Sequence, residues 1–353
     1  MEARVVFACA VLMVISFPAA PVHAQDTLYV DVLGSTPYQT IQSAIDASDD
    51  GDWIVVLPGT YSGDGNTDIR FYERNLVVIS ENDDPTEVVI DCGGQDRAFN
   101  LTFGYTDDTS YIAGITIRNG WARAHPDDGG GAILCQGASP NIGNCIFEYC
   151  EANGGGAIKL QNSSAWVYGS TFRHNTAEMG GALHAAYGEC KITGCTFHDI
   201  EATDRGGALR FYGDDAFVQN CTFAQCGADG DAVVAVDGNT YGPDFNSNII
   251  AFSTAGVPVT GGSATDFEVT YCMIYGNAGG DSLGYVPHHD NLFVDPLFCD
   301  MAADDYTHCS NTTALPYANP YMRPIGNVVA GCGECESSPV RRTSWGAIKA
   351  LYR

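Results

Sequence analysis

The chain has 353 residues, of which 43 are Asp or Glu and 16 are Lys or Arg, so its formal net charge is −27. A chain this acidic repels nucleic acid and anionic lipid, and we expect neither as a partner. We expect a monomer.

The first 24 residues have the pattern of a secretory signal peptide. Arg4 supplies a positive charge, residues 5–17 are apolar, and Val22-His23-Ala24 resembles a cleavage site. The apolar stretch is too short to span a bilayer, and no later stretch is long and apolar enough. The sequence therefore predicts a secreted or surface-attached protein without a transmembrane segment.

Residues 25–50 predict an N-terminal cap. Thr36 is placed to cap a short helix, with a proline at the first helical position and Gln39 completing a capping box. Apolar residues then recur at helical spacing from Tyr38 to Ile45. We expect this helix to lie over the open end of the domain that follows.

Between residues 51 and 298, two short phrases recur in phase. Gly-Gly-Ala followed by Ile or Leu occupies residues 130–133, 155–158, 180–183 and 206–209, and a decayed copy occupies 230–233. A second phrase contributes one phenylalanine to each period: Phe147, Phe172, Phe197 and Phe223. Copies of each phrase lie about 25 residues apart, which indicates one structural unit per period.

One period has room for about three short strands and none for a helix of ordinary length. Strands one period apart must pair in parallel, like on like, so the chain coils on itself. The sequence therefore predicts an all-β fold, a single parallel β-helix of about ten coils with a rise of ~4.8 Å per coil. We expect glycines at the corners and phenylalanine and Ile/Val columns inside.

The periodic cysteines form one column with a serine: Cys145, Ser170, Cys195 and Cys221. We favour the interpretation that these are buried thiols filling the interior. A disulfide between Cys195 and Cys221 on neighbouring coils is the alternative, as are pairs formed around a corner by Cys145 with Cys150 or Cys221 with Cys226.

Three basic residues share one outward position on consecutive coils: Lys159, His184 and Arg210, with Leu134 and Val234 on either side. In-register stacking would place neighbours ~4.8 Å apart, where like charges are costly unless an anionic group pairs with them. One hypothesis is a site for an acidic glycan. The alternative, which we favour, is that nearby carboxylates neutralise the row.

An insertion before the first Gly-Gly-Ala phrase lengthens one corner and contains His125, Asp127 and Asp128. Corner loops often form binding sites, so we treat these three residues as a candidate site. Trp121 lies beside them and could stack on a sugar ring, as could Trp166, although exposed aromatic residues are also ordinary.

Acidic pairs offer a possible place for Ca²⁺, at Asp214-Asp215 and at Asp304-Asp305. No calcium-loop spacing accompanies either pair, and we favour acidic turns as their explanation. We expect no other cofactor.

Residues 299–335 predict a C-terminal cap held by disulfides. Cys299 and Cys309 look like one pair and Cys332 and Cys335 like another, although the last two also resemble a redox pair or half of a zinc site. Residues 336–353 read as a linker and a basic tail. Sorting or surface attachment and docking of a terminal helix are equal alternatives for that tail.

Residues 38–45, together with the Pro-Gly-Thr-Tyr phrase at 58–61, resemble the N-terminal signature of secreted right-handed parallel β-helix proteins of the pectin-lyase-like superfamily. The Gly-Gly-Ala phrase with Phe172-Arg173-His174-Asn175 is similar to repeats of polymorphic outer-membrane proteins, and residues 295–298 resemble a common terminal-coil motif. The resemblance covers residues 28–335 and implies a right-handed coil. It constrains activity less, because lyases, hydrolases, esterases and adhesins share this scaffold.

The catalytic motifs of that superfamily are incomplete in this chain. Asn66-Thr67-Asp68 and Asp107-Asp108 match part of a polygalacturonase-like set, but no Gly-His-Gly phrase occurs. We therefore expect a non-catalytic protein that binds a polysaccharide or cell-surface component along its flank. The alternatives are a polysaccharide lyase or glycoside hydrolase, whose cleft would bring several Asp, Arg or His residues together, and a structural spacer.

Overall fold

The computed structural model describes residues 25–102, 109–123, 129–213, 215–238, 243–261, 267–316 and 318–335. These residues form a solenoid of about 11 coils built from short parallel strands, with one α-helix at its beginning. The predicted parallel β-helix is confirmed. No helix among the described residues is both long and apolar enough to cross a membrane.

Each complete coil runs through sheets A, B and D in that order, and four coils add a strand of the smaller sheet C between B and D. Sheet A contains Thr27–Val30, Trp53–Val56, Val77–Ser80, Tyr111–Ala113, Asn141–Gly143, Trp166–Tyr168, Lys191–Thr193, Phe217–Gln219, Asp244–Asn246, Val269–Thr270 and His288–His289. Sheet B contains Gly59–Ser62, Val88–Asp91, Thr116–Arg118, Ile146–Glu148, Thr171–Arg173, Thr196–His198, Thr222–Ala224, Ile249–Ala251 and Met273–Tyr275. Sheet C contains Glu151–Gly154, Thr176–Met179, Glu201–Arg205 and Gly227–Ala228. Sheet D contains Phe99–Thr102, Ile133–Gln136, Ile158–Gln161, Leu183–Ala186, Leu209–Tyr212, Ala232–Asp237 and Val257–Gly261.

The phenylalanine column measures the rise of the solenoid. In sheet B, the ring centroids of Phe147, Phe172, Phe197 and Phe223 follow one another at 4.7, 4.7 and 4.8 Å, with interplanar angles of 16°, 11° and 7°. All four rings are fully buried. Neighbouring coils are therefore in register, one strand spacing apart, and nearly parallel.

The corner before sheet D requires glycine at both positions of the repeated pair, for two different reasons. Gly155 has a φ of +65°, a conformation that L side chains rarely adopt. Gly156 has no such φ, but a Cβ on it would overlap the carbonyl oxygen of Gly181 on the next coil. The prediction that these glycines provide positive φ and close approach is confirmed.

The periodic cysteines are buried thiols, as we predicted, and not disulfides. Burial is the largest cause that raises the pKa of Cys145, to about 12. The Ser170 hydroxyl, in the same column, accepts a hydrogen bond from the backbone N–H of Cys145 at 3.1 Å. These residues fill the interior and hold the corner together.

The N-terminal helix begins later than the sequence indicated. It spans Ile41–Ala47, and its N-cap is Thr40, whose hydroxyl accepts from the backbone N–H of Ser43. The prediction of Thr36 as N-cap was wrong because Asn66, in the neighbouring loop, accepts a hydrogen bond from the backbone N–H of Ile41 at 3.0 Å and fixes the start of the helix. Ile41 and Ile45 remain on the buried face, as expected.

The four cysteines of the C-terminal cap form two disulfides, but the partners differ from the prediction. Cys299 is bonded to Cys332, and Cys309 is bonded to Cys335. The sequence-adjacent pairs were wrong because a small sheet, made of Phe298–Asp300, Asp305–Cys309 and Ala330–Cys332, brings distant segments side by side.

The cap folds back over the outer face of sheet B. Phe298, Met301 and Tyr306 of the cap share a buried cluster with Ile249 and Met273 of the last coils. The cap thereby covers the apolar outer residues of the last coils. Sheet B is therefore covered at its C-terminal end and open at its other end.

Candidate functional site

The basic row predicted from the sequence exists on the outer face of sheet D. Lys159 pairs with His184, and His184 pairs with Arg210, in consecutive strands. Leu134 precedes the row as expected, but Ala235 follows it, whereas Val234 lies opposite Leu209. The prediction for Val234 was wrong because the decayed phrase at residues 230–233 is offset by one residue.

Asp237 neutralises the end of the row. Its carboxylate accepts a hydrogen bond from Arg210 Nε at 3.0 Å and also pairs with Arg205. The guanidinium of Arg210 further lies 5.7 Å from the ring centre of Tyr212. Arg210 is thus held by the protein itself, as the favoured alternative for this row required.

His184 lies between the two cations but carries no charge at neutral pH. It is 8% exposed, and neither ring nitrogen has a hydrogen-bond partner in the part of the chain that the structure describes. Burial, followed by the charges of Arg210 and Lys159, lowers the pKa of His184 to about 3, while Asp237 opposes the shift. A neutral imidazole removes the like-charge repulsion that three cations would create.

The corner insertion cannot be compared with its prediction, because His125, Asp127 and Asp128 lie outside the described residues. Gly129, the first described residue after the insertion, packs against the aliphatic stem of Lys159, since a Cβ on this glycine would overlap Lys159 Cδ. Trp121 is half-buried and bridges to Glu151. A role of this loop in binding stays a prediction.

A cleft with a volume of about 170 Å³ lies where the C-terminal cap meets the open end of sheet B. Sheet B contributes Thr171, Thr196 and His198 to its wall, and the cap contributes the segment from Asp304 to Thr307. Sequence reasoning missed this cleft, because its two walls are more than 100 residues apart and the cap lies outside the repeat.

Polar groups converge in the cleft. His198 is 3% exposed, and its Nδ1 lies 3.1 Å from a carboxylate oxygen of Asp199, which also accepts a hydrogen bond from the Tyr306 hydroxyl at 3.3 Å. Burial, and then the charge of Asp199, raises the pKa of Tyr306. Arg173, on the adjacent coil, pairs in register with His198. An imidazole oriented by a carboxylate can accept a proton from a substrate.

The same groups offer potential metal ligands. One ligand atom each from His198, Asp199 and Asp304 lies within 4.8 Å of the other two. Asp304 belongs to one of the acidic pairs considered for Ca²⁺. An imidazole and two carboxylates suit zinc or another transition metal better than calcium, which prefers oxygen ligands. Calcium binding stays a prediction.

Sheet A carries a row of exposed aromatic residues. Its outer positions on consecutive coils are Trp53, Val77, Tyr111, Asn141, Trp166, Lys191 and Phe217. The two tryptophans and Tyr111 are 37–43% exposed, and Phe217 is half-buried. Large aromatic side chains therefore recur on every second coil.

Neighbouring groups fix the orientation of Trp166 and of Tyr168, which follows it on the same strand. The indole N–H of Trp166 donates to the Thr193 hydroxyl at 2.8 Å, and its ring centre is 4.8 Å from that of Tyr168. Tyr168 lies directly over Gly143, where a Cβ would overlap its ring. The glycine thus allows the tyrosine to lie against the sheet.

Trp166 was expected from the sequence as a residue that could stack on a sugar ring, but the row to which it belongs was not predicted. The sequence does contain a pattern that marks the row, because each row residue immediately precedes an inward-facing Ile or Val of sheet A. The buried residues that mark the column are Ile54, Val78, Ile112, Ile142, Val167, Ile192 and Val218. Reading the position before each of them would have identified the aromatic period.

The family model described as a right-handed β-helix region matches residues 105–286, which is more than half of the chain. No curated protein matches the chain. The resemblance noted in the sequence is consistent with this match and with the solenoid. The chain therefore belongs to the family of right-handed β-helix proteins.

Proposed function

We propose that this protein is a secreted or cell-surface β-helix protein that binds glycan chains along one flank without cleaving them. The observation that carries the proposal is the row of exposed aromatic residues on sheet A. Trp53, Tyr111 and Trp166 present rings on every second strand of sheet A, at the first residue of each strand.

The chemistry of sugars suits such a surface. A pyranose ring has an apolar face of C–H groups and a polar rim, and an aromatic ring covers that face while leaving the rim hydrated. Aromatic rings on alternate coils supply several such contacts at low entropic cost, because the strands hold the rings in place before the ligand arrives. A contiguous row of exposed apolar groups is also typical of an interaction surface.

Secretion is supported by two independent features. The first 24 residues have the composition of a signal peptide, and the C-terminal cap contains two disulfides, which persist in oxidising compartments. A soluble polymer or a cell-surface component outside the cell would be the partner.

A panel of neutral and acidic polysaccharides tests the proposal, with and without Ca²⁺. We expect the wild-type protein to bind at least one glycan, and the variant W53A/Y111A/W166A to lose that binding. The matched control is Y149A/Y187A, which removes two exposed aromatic residues from corners of the solenoid. If the triple variant binds as well as wild type, the row on sheet A is not the glycan site.

A polysaccharide-active enzyme is a second candidate function, and the cleft under the cap favours it. The expectation for an enzyme was a cleft in which several Asp, Arg or His residues converge, and His198, Asp199 and Asp304 do so, while the nearby Arg173 pairs with Glu148. The same panel decides, if the products are examined for chain cleavage. Cleavage by the wild type that is lost in both H198Q and D304N would replace the non-catalytic proposal.

A further inference from the structure

The spacing of the aromatic row defines a length that a ligand must match. The stacked rings in sheet B give a rise of 4.7–4.8 Å per coil. Trp53, Tyr111, Trp166 and Phe217 are each two coils apart, so equivalent rings recur every ~9.5 Å. The small angles between the stacked rings show that the coils from Phe147 to Phe223 turn little relative to one another, and we infer that the row on sheet A also runs nearly straight.

An extended β-1,4-linked polysaccharide has a matching symmetry. Its equatorial linkages keep the chain straight, and successive sugars turn over, so the same ring face recurs on every second sugar. One disaccharide then advances by about the length of two coils. The α-1,4-glucans and β-1,3-glucans curve into helices, and they would leave such a straight row after one or two contacts.

We propose, resting on the glycan-binding function above, that sheet A binds an extended, uncharged β-1,4-linked polysaccharide running along the solenoid axis. Alternate sugars stack on Trp53, Tyr111, Trp166 and Phe217. The sugars between them lie over Val77, Asn141 and Lys191, the last of which can extend beside the chain.

The intervening positions leave room for the unstacked sugars. Val77 is only partly exposed, and Asn141 is 5% exposed, so both lie lower than the aromatic rings on either side. Asn141 adds an amide to a surface that is otherwise apolar at this point. The row therefore alternates a raised ring with a lower residue over its first five coils.

Charge selects a neutral ligand. The chain has a net charge of −27 and repels anionic polymers as a whole. The outward positions of the five strands from Trp53–Val56 to Trp166–Tyr168 carry no charged residue: Trp53, Val55, Val77, Ile79, Tyr111, Ala113, Asn141, Gly143, Trp166 and Tyr168. Along these five coils an acidic glycan would find no cation, and Lys191 is the one cation among the row positions from Trp53 to Phe217, whereas a neutral glycan loses little by burying this face.

Moving one ring by one coil tests the spacing. The variant W166K/K191W exchanges two exposed residues of the same row, so composition and net charge stay unchanged while the two-coil period is broken. We expect the affinity for cellohexaose or mannohexaose to fall about tenfold, and we expect the same loss in W166A. Y187A is the control and is expected to bind like wild type. Circular dichroism and thermal unfolding verify that each variant folds.

The outcomes separate this inference from the glycan-binding function. If the exchange variant binds these hexasaccharides like wild type, or if the wild type prefers α-linked dextran, β-1,3-glucan or polygalacturonate, the inference is overturned while glycan binding stands. If the wild type binds none of these glycans, the proposed function itself fails, and the inference with it.

Discussion

At the scale of single residues, His184 has the chemistry that departs furthest from its ordinary state. Lys159 and Arg210 flank it, and burial keeps its imidazole neutral with a pKa of about 3. The unfolded chain would bind a proton at His184 near its ordinary pKa of 6.5. Between these two values the unfolded state binds more protons than the folded state, so the free energy of unfolding must fall as the pH falls.

We predict that H184Q makes this loss of stability shallower. The free energy of unfolding of the wild type should decrease by a few kcal/mol between pH 6.5 and pH 4, because one pKa unit corresponds to about 1.4 kcal/mol. His308, whose burial lowers its pKa to about 4, contributes to the dependence in the same direction. Urea unfolding at several pH values measures the slope. A double variant H184Q/H308Q that keeps the wild-type slope would show that neither histidine causes it.

At the scale of the coil, the second glycine of the repeated pair controls how closely neighbouring coils approach. We predict that G156A destabilises the protein by about 2 kcal/mol or more, because its methyl group would overlap the carbonyl oxygens of Gly181 and Thr176. The control is G333A, where nothing lies within 4 Å and φ is not left-handed. Thermal and urea unfolding compare the two. Equal stability of both variants would contradict the close, in-register contact at this corner.

The repeating phrases explain why the register of the coils could be predicted from the sequence, whereas the helix start and the disulfide pairs of the two caps could not. Phrases that repeat every 25 or so residues determine the strand register, so the adjacency of Lys159, His184 and Arg210 followed from the sequence. One irregular copy was enough to shift the expected neighbour from Ala235 to Val234. The helix start at Thr40 depends on a hydrogen bond to Asn66, and the disulfides depend on a small sheet in the cap. Neither feature belongs to the repeat, so no periodic pattern in the sequence indicates it.

At the scale of the whole molecule, the repeat converts single side chains into linear arrays with different chemistry on each face. Sheet A presents uncharged aromatic residues, sheet D presents a basic row partly neutralised by Asp237, and sheet B is covered at one end by the cap. Arrays within one sheet can be found from the sequence, because their spacing is the period. The cleft at His198 cannot, because it forms only when the cap returns across the solenoid.

A linear array on one face predicts how affinity depends on ligand length. Trp53 and Phe217 are six coils apart, a span of about 29 Å. The affinity for β-1,4-linked oligosaccharides should increase with every second added sugar until the chain covers that span, because each such step adds one stacked ring.

Removing a terminal ring should shorten the array without damaging the rest of it. We predict that W53A binds short oligosaccharides like wild type, since they can occupy the rings from Tyr111 to Phe217, but that its affinity stops rising one disaccharide earlier. Calorimetric titration with oligosaccharides of increasing length measures both curves. An affinity that already saturates with the disaccharide, or a W53A variant weakened equally at every length, would mean that a single ring binds the glycan and that the solenoid's register plays no part.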